Sequence, residues 1–472
     1  MKVQSSQYLA ENKALFVKLQ KALSEKYDYA SILAADCKEM KYSVSAQGIR
    51  AGASNTFGRR GYTVRVYDGK AYQEYSDSEI SEEKIDIIIS RIADGLSKMA
   101  EGFGRVETPL LEEEELSFVK STEYKIHPAE MGDETIVARL TALRESTLKL
   151  DERLLDCVAN LSYQQYSKLF ISDKRDLEQN VMWTCGAMAV MASKGEELKE
   201  DFKGFSVMGG AELLDDMEKA APELVKNVID LLDSVPMIPG EYECVCTPEV
   251  TGMIVHEAFG HGVEMDMFVK DRALAKDFMG EYVASEIVSM RDGAASANEV
   301  ASYFFDDEGN EAKDTLVIDH GRLVSGYADA VSAARLGVRP TGNGRRESVE
   351  RKTYTRMTNT FFEGGTDSVE DMIKSVKYGM LLCTPSSGME DPKNWGIQCM
   401  VSYAREIKDG ALTGKIFSPV VLTGYVPDLL KSISMISPDV ELCGSGACGK
   451  GYKEWVKVSD GGPWIKAKIR LG

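Results

Sequence analysis

Val235-Pro-Met-Ile-Pro-Gly240, with the run Tyr242-Glu-Cys-Val-Cys246 just after it, divides this sequence into two textures. Two prolines and a glycine close together end a helical pattern, because proline offers no amide hydrogen and its ring clashes with the preceding turn. The run after them reads as the first strand of a new unit. A chain of 472 residues exceeds what one hydrophobic core usually serves, so a boundary is expected, and this punctuation places it. The expectation is an α+β protein: a mixed α/β N-terminal domain over 1–235 and a β-rich C-terminal domain over 236–472.

Upstream, Leu9, Phe16, Leu19, Leu23 and Tyr27 recur at helical spacing and predict a helix over 5–27. Tyr62-Thr-Val-Arg-Val-Tyr67 and Lys70-Ala-Tyr-Gln-Glu-Tyr75 flank Asp68-Gly69 and predict a hairpin. Further helices are expected over 81–101, 133–150 and 211–234, the last with a kink at Pro222. Downstream, short runs between glycine turns predict strands at Thr315–Ile318, Ile397–Tyr403 and Glu454–Val458. No repeat of fixed period is visible.

Acidic residues outnumber basic ones, 75 to 56, for a net charge of -19, so a nucleic-acid backbone would be repelled and nucleic acid is not an expected partner. The cluster Arg345, Arg346, Arg351, Lys352 reads as loop or cleft charge. The first residues mix charges among apolar positions, unlike a signal peptide, and no run reaches the roughly 18 apolar residues that cross a bilayer, so a cytoplasmic protein without membrane contact is expected. Nine cysteines in so long a chain make no disulfide framework; most are expected to be buried small hydrophobes, with one or two available as ligands.

Two of the four histidines lie in Val255-His-Glu-Ala-Phe-Gly-His-Gly262, a glutamate directly after the first. Thr247, Pro248 and Glu249 supply a helix start. His256 and His261 are five apart, whereas the familiar zinc helix places its ligands four apart. On a regular helix five residues turn about 500°, leaving the two side chains about 140° apart around the axis and unable to share a metal. One extra residue in the turn, a π-bulge, would return them to one face, and Gly260 and Gly262 would tolerate it, so an irregular helix is predicted. With zinc on both imidazoles, Glu257 is placed to act as general base toward the attacking water of a peptide hydrolysis. A catalytic zinc needs a third protein ligand, and Cys443 or Cys448 of Glu441-Leu-Cys-Gly-Ser-Gly-Ala-Cys-Gly-Lys-Gly451 can supply it.

His256-Glu-Ala-Phe-Gly-His-Gly-Val-Glu264, Thr341-Gly-Asn-Gly-Arg-Arg346, Arg356-Met-Thr-Asn-Thr360 and Cys448-Gly-Lys450 together resemble, in this order, the landmarks of the TldD/PmbA family, also named for a suggested modulation of DNA gyrase. The match spans the C-terminal half; the N-terminal half is similar in layout. The resemblance is to the catalytic, TldD-type member with its His-Glu-x-x-x-His motif and distant cysteine. It implies His256, His261 and Cys448 as zinc ligands, Glu257 as catalytic carboxylate, and Cys448 over Cys443 because Gly449-Lys450 follows it. It also implies a zinc peptidase acting on small or unfolded peptides, enclosed in a homodimer or in a heterodimer with a metal-free TldE/PmbA-type paralogue. Asn343, Arg345, Arg346 and Asn359 are candidate substrate-binding residues, and Glu264 and Asp266 could orient a ligand histidine.

Other signals carry less. Gly444-Ser-Gly-Ala-Cys-Gly-Lys-Gly451 imitates a P-loop but has Gly451 where Ser or Thr should stand. Cys244 and Cys246 share one strand face and read as core, and His320 in Asp319-His-Gly-Arg322 fits a hairpin turn. Two rival classes are a non-catalytic peptide-binding or chaperone-like subunit with a structural metal, and a thiol redox protein using Cys443 and Cys448.

Overall fold

The computed structural model describes residues 1–102, 107–452 and 454–472. Strands up to Val207 form one sheet and strands from Gly240 onward form the others. The first sheet has eight strands, its centre built from the long antiparallel strands Tyr29–Ser45, Leu154–Ile171 and Arg175–Lys194. The helix Gln7–Ser24 starts where the Ser6 hydroxyl accepts the Leu9 amide, and it buries Leu9, Phe16, Leu19 and Leu23 against this sheet. The predicted hairpin forms from Gly61–Tyr67 and Tyr72–Asp77, with Tyr67 opposite Tyr72. Helices Asp133–Leu148 and Leu213–Leu231 close a second core over Leu161 and Met188, and Pro222 lies inside the latter helix.

In the second half, Gly240–Cys246 pairs in parallel with Tyr378–Asp391 and antiparallel with Ile465–Leu471. Ile465–Leu471 pairs with Val420–Tyr425, which pairs with Gly396–Lys408, which returns to Tyr378–Asp391. The five strands therefore close into a ring. A six-stranded sheet, including Met290–Asp292, Asn359–Phe362 and Ser459–Gly462, stands beside it. The result is the expected mixed helix-and-strand first half and strand-rich second half. Cys244 and Cys246 are fully buried in the core of the second half, as their shared face predicted.

One helical rod over residues 248–263 touches strands of both sheets in this half. It begins as an α-helix, Pro248–Met253, passes into a π-helix, Ile254–Gly260, and tightens into a 3₁₀ turn, His261–Val263. The irregular helix predicted from the five-residue spacing is thus present. Thr247 occupies the capping position, but its hydroxyl meets the Glu249 carboxylate at 3.4 Å and makes no cap to a backbone amide. Val250, Ile254, Val255, Ala258 and Phe259 are fully buried and hold the rod in the core.

Gly252 lets the rod approach the neighbouring sheet, since a Cβ there would stand 2.6 Å from the Gly461 amide nitrogen. Backbone cannot step aside as a side chain can. The variant Gly252→Ala is expected to lose about 1–3 kcal/mol of stability through overpacking, read as a lower midpoint in urea unfolding.

Candidate metal centre

The π-helix gives the two histidines a common side. The His261 amide donates to the His256 carbonyl, a bond five residues back, and so inserts the extra residue that a regular helix lacks. The two rings end with centroids 5.0 Å apart and nearly perpendicular. Gly260 permits the bend where Met357 and Tyr327 crowd the backbone: a Cβ there would meet the Met357 sulfur at 2.4 Å, and the Tyr327 hydroxyl donates to the Gly260 carbonyl at 2.5 Å.

Cys448 arrives from far along the chain on a hairpin, Ala447–Lys450 against Glu454–Lys457. This hairpin is where the P-loop resemblance ends, because Gly451 takes a turn with φ of 63° instead of opening a helix. Cys448 Sγ lies 3.3 Å from His261 Nε2. One ligand atom each from His256, His261 and Cys448 lies within 4.8 Å of the others. Cys443 points elsewhere, its sulfur 3.9 Å from the Ser206 hydroxyl, and all nine cysteines are free thiols. The two thiols of the redox reading therefore have different partners.

This donor set fits a soft or borderline divalent cation such as zinc. Two imidazoles and a thiolate converge in a buried place, and His256 Nδ1 is buried with no hydrogen-bond partner among the described residues. Burial alone would lower the His256 imidazole, but the Cys448 thiolate beside it holds it up at about 9. Burial likewise opposes charge on His261, and Cys448 and Glu264 override it, raising His261 well above its ordinary value. Burial would raise the Cys448 thiol, yet the two imidazoles pull it well below its usual range. Such a cluster already favours the thiolate that a metal requires.

Behind the ligands lies a supporting network. Glu264 Oε2 meets His261 Nδ1 at 3.2 Å, which orients the ring so that Nε2 faces Cys448. Lys450 donates to Glu264 at 3.0 Å and to Asp266 at 2.6 Å. Arg356, fully buried, donates to the Cys448 carbonyl at 2.6 Å and so fixes the hairpin. Glu264 thus contacts His261 directly, whereas Asp266 reaches the cluster through Lys450. The roles of Lys450 and Arg356 were not foreseen, although both stand in motifs the sequence offered. Glu390 was missed altogether: burial and the charges of Glu264 and Glu257 raise its carboxyl well above the usual range, despite His261, and both its oxygens lack partners among the described residues. Nothing in its sequence surroundings marks it.

A cleft of about 800 Å³ opens on His256 and Glu257, bounded on one side by Glu197–Val207 and Leu213–Leu231 of the first half and on the other by Thr384–Gly388. Gly388 lies directly against the Glu257 side chain: a Cβ there would stand 2.3 Å from Glu257 Cγ and 3.0 Å from its carboxyl carbon. Asp460 lines the same wall, its carboxyl pushed up to about 6 by burial.

The four residues suggested for substrate binding do not line this cleft. Asn343 is fully buried and donates to Asp292 at 2.7 Å and to the Arg356 carbonyl at 3.0 Å. Asn359, equally buried, donates to the Gly293 carbonyl at 3.0 Å and to Ser302 at 2.9 Å. Arg345 donates to the Met357 carbonyl at 2.7 Å, and Arg346 pairs with Glu74 of the first half at 2.7 Å. Buried polar groups must find partners, and these spend their donors on the scaffold. His320, at a hairpin tip with φ of 45°, is exposed and bonded to Asp319.

The comparisons agree with this geometry. Residues 239–469 match the PmbA/TldA metallopeptidase C-terminal domain. The chain is 28% identical over 415 residues to a metalloprotease of Methanocaldococcus jannaschii, covering 88% of this chain and 90% of the other. It is 28% identical over 323 residues to a zinc metalloprotease TldD homolog of Saccharolobus solfataricus, covering 67% and 72%. The fold superposes on a Thermotoga maritima protein designated a suggested modulator of a DNA gyrase, with TM-score 0.77 at 16% identity over 98% of this chain and 100% of that one. TldE of Thermococcus kodakarensis gives 0.75 at 19% identity over 97% and 99%. The second half of the chain, residues 239–469, is a TldD/PmbA-family domain, and the curated relatives here are named metalloproteases.

Because Glu264 orients the His261 ring toward Cys448, Glu264→Gln is expected to weaken the affinity of this candidate site for a divalent metal by about 10- to 100-fold, measured by competition with a chromophoric chelator.

Proposed function

We propose that this protein is a zinc-dependent peptidase that hydrolyses small or unfolded peptides, with His256, His261 and Cys448 holding the metal and Glu257 as general base. The observation that carries the reading is the convergence of His256, His261 and Cys448, the first of which lines, together with Glu257, a cleft large enough for a peptide. Zinc bound there supplies Lewis acidity, polarising a peptide carbonyl and making water more acidic. Glu257 accepts the proton of the attacking water at its carboxylate and returns it to the leaving amine. Gly388 keeps the adjoining strand thin enough for that carboxylate to stand in place. Glu264 and Lys450 keep the His261 ring aimed.

The cleft supports an extended substrate. The strand Tyr378–Asp391 pairs with Gly240–Cys246 only as far as Leu382, so among the described residues its later part has a ladder partner on one side alone. A peptide backbone laid beside Pro385–Gly388 could take up the unpaired groups with little demand on side chains, which suits unfolded substrates. The likeness to TldE supports pairing with a metal-free TldE/PmbA-type paralogue or with a second copy, enclosing the cleft. No helix among the described residues is long and apolar enough to cross a membrane, which accords with a cytoplasmic place of action.

Metal analysis on protein purified by gel filtration tests the reading first. About one zinc per chain is expected in the wild type and little in His261→Ala; no metal in wild type supplied with zinc would overturn the mechanism and favour a non-catalytic peptide-binding subunit. Glu257→Gln is expected to keep the zinc and lose about 10²- to 10⁴-fold in kcat on an unstructured peptide. Gly388→Ala should lower kcat in the same assay with zinc content unchanged, since its methyl displaces Glu257 and not a ligand.

A further inference from the structure

The cleft walls are strongly acidic. Asp201, Glu223, Glu249, Glu257, Glu441 and Asp460 line them, against Lys203, Lys226 and Arg405. Two of those three cations are already engaged outside the cleft, Lys226 with Asp230 at 2.6 Å and Arg405 with the same carboxylate at 3.4 Å. Lys203 stands near Glu249 and offsets part of its charge.

Among these acids Asp201 is set apart. It lies on the strand Glu197–Val207 and is 1% exposed, yet it belongs to the cleft wall, and its Oδ1 has no hydrogen-bond partner among the described residues. An unpaired oxygen on a buried carboxylate is costly, and no cation of the chain makes an ion pair with it among the described residues. Burial, helped by the neighbouring acid Glu249, pushes the Asp201 carboxyl up to about 7 against the pull of the Phe202 amide, the Thr384 hydroxyl and the Arg405 charge. The Arg405 charge nearby only partly offsets this burial, and Arg405 is itself shared with Asp230, so a further cation would stabilise the carboxylate.

The helical rod fixes where this end of the cleft lies relative to the metal ligands. Glu249 precedes His256 by seven residues on the same rod, two turns and about 10 Å away. That span equals about three residues of extended peptide. We infer that Asp201 and Glu249 form a subsite for a positively charged group of the substrate, a lysine or arginine side chain or a terminal ammonium, about three residues from the bond that is cut. The inference rests on the peptidase reading for its position along the substrate and on the cleft alone for its charge preference.

Binding separates the two. Fluorescein-labelled, alanine-rich peptides carrying one lysine, or norleucine in its place, are titrated by fluorescence anisotropy into zinc-loaded Glu257→Gln protein, which binds without turnover. The lysine peptide is expected to bind about tenfold more tightly at physiological salt. Adding Asp201→Asn or Glu249→Gln should remove most of that difference and leave the norleucine peptide unchanged, with unaltered thermal unfolding showing that the variants fold. Equal affinity for both peptides, or a lysine preference that survives both substitutions and so comes from the overall negative charge, would overturn the subsite. Moving the lysine along the peptide in wild-type protein then reads its register as a KM minimum with kcat little changed. If no peptide is cleaved but the charge preference in binding holds, the peptidase reading fails and the subsite stands.

Discussion

The π-helical turn that ends in the hydrogen bond from the His261 amide to the His256 carbonyl decides whether the two imidazoles can converge on one point. Were the amide to reach one residue less far, the rod would be a regular α-helix and the two imidazoles would diverge. The bond survives because everything around it is tight. Tyr327 ties down the Gly260 carbonyl, Met357 leaves no room for a side chain there, and the apolar face from Val250 to Phe259 is sealed in the core. The π-helix is therefore a product of packing on all sides, and the ligand geometry inherits the rigidity of that packing.

From this rod the electrostatics radiate in layers. The ligands themselves form a set in which thiolate and imidazoles stabilise one another's charge. Glu264 balances His261, Lys450 balances Glu264 and Asp266, and Arg356 grips the hairpin that carries Cys448. Opposite charges alternate outward from the centre, so each buried charge has a neighbour of the other sign. Glu390 and Asp201 are less well satisfied, each with a carboxylate oxygen that lacks a hydrogen-bond partner among the described residues, and Asp201 lines the cleft.

Much of this was legible before any coordinates. Prolines at 236 and 239 mark the change of texture because proline cannot donate to a helix. The five-residue interval between histidines forces an irregular turn by arithmetic alone. The hairpin at Asp68-Gly69 follows from a glycine that takes φ of 86° there. What stayed hidden depended on approach between distant segments. Asn343 and Asn359 sit in motifs that look like a binding loop, yet burial converts them into struts, and burial is not written in a local pattern. Gly388, Glu390 and Asp201 are ordinary letters in strands; only the meeting of those strands with the rod gives them meaning.

The ring of five strands has an implication for the order in which the molecule comes into being. Ile465–Leu471 seats in the middle of the ring, between Gly240–Cys246 and Val420–Tyr425, and Cys448 precedes it by only a short stretch. On a ribosome the sheet over residues 29–207 can assemble while the second half is still being made. The ring and the centre it supports must wait until almost all of the chain described here has emerged. The histidine pair and its distant cysteine thus come together late, after the first sheet is in place to receive them.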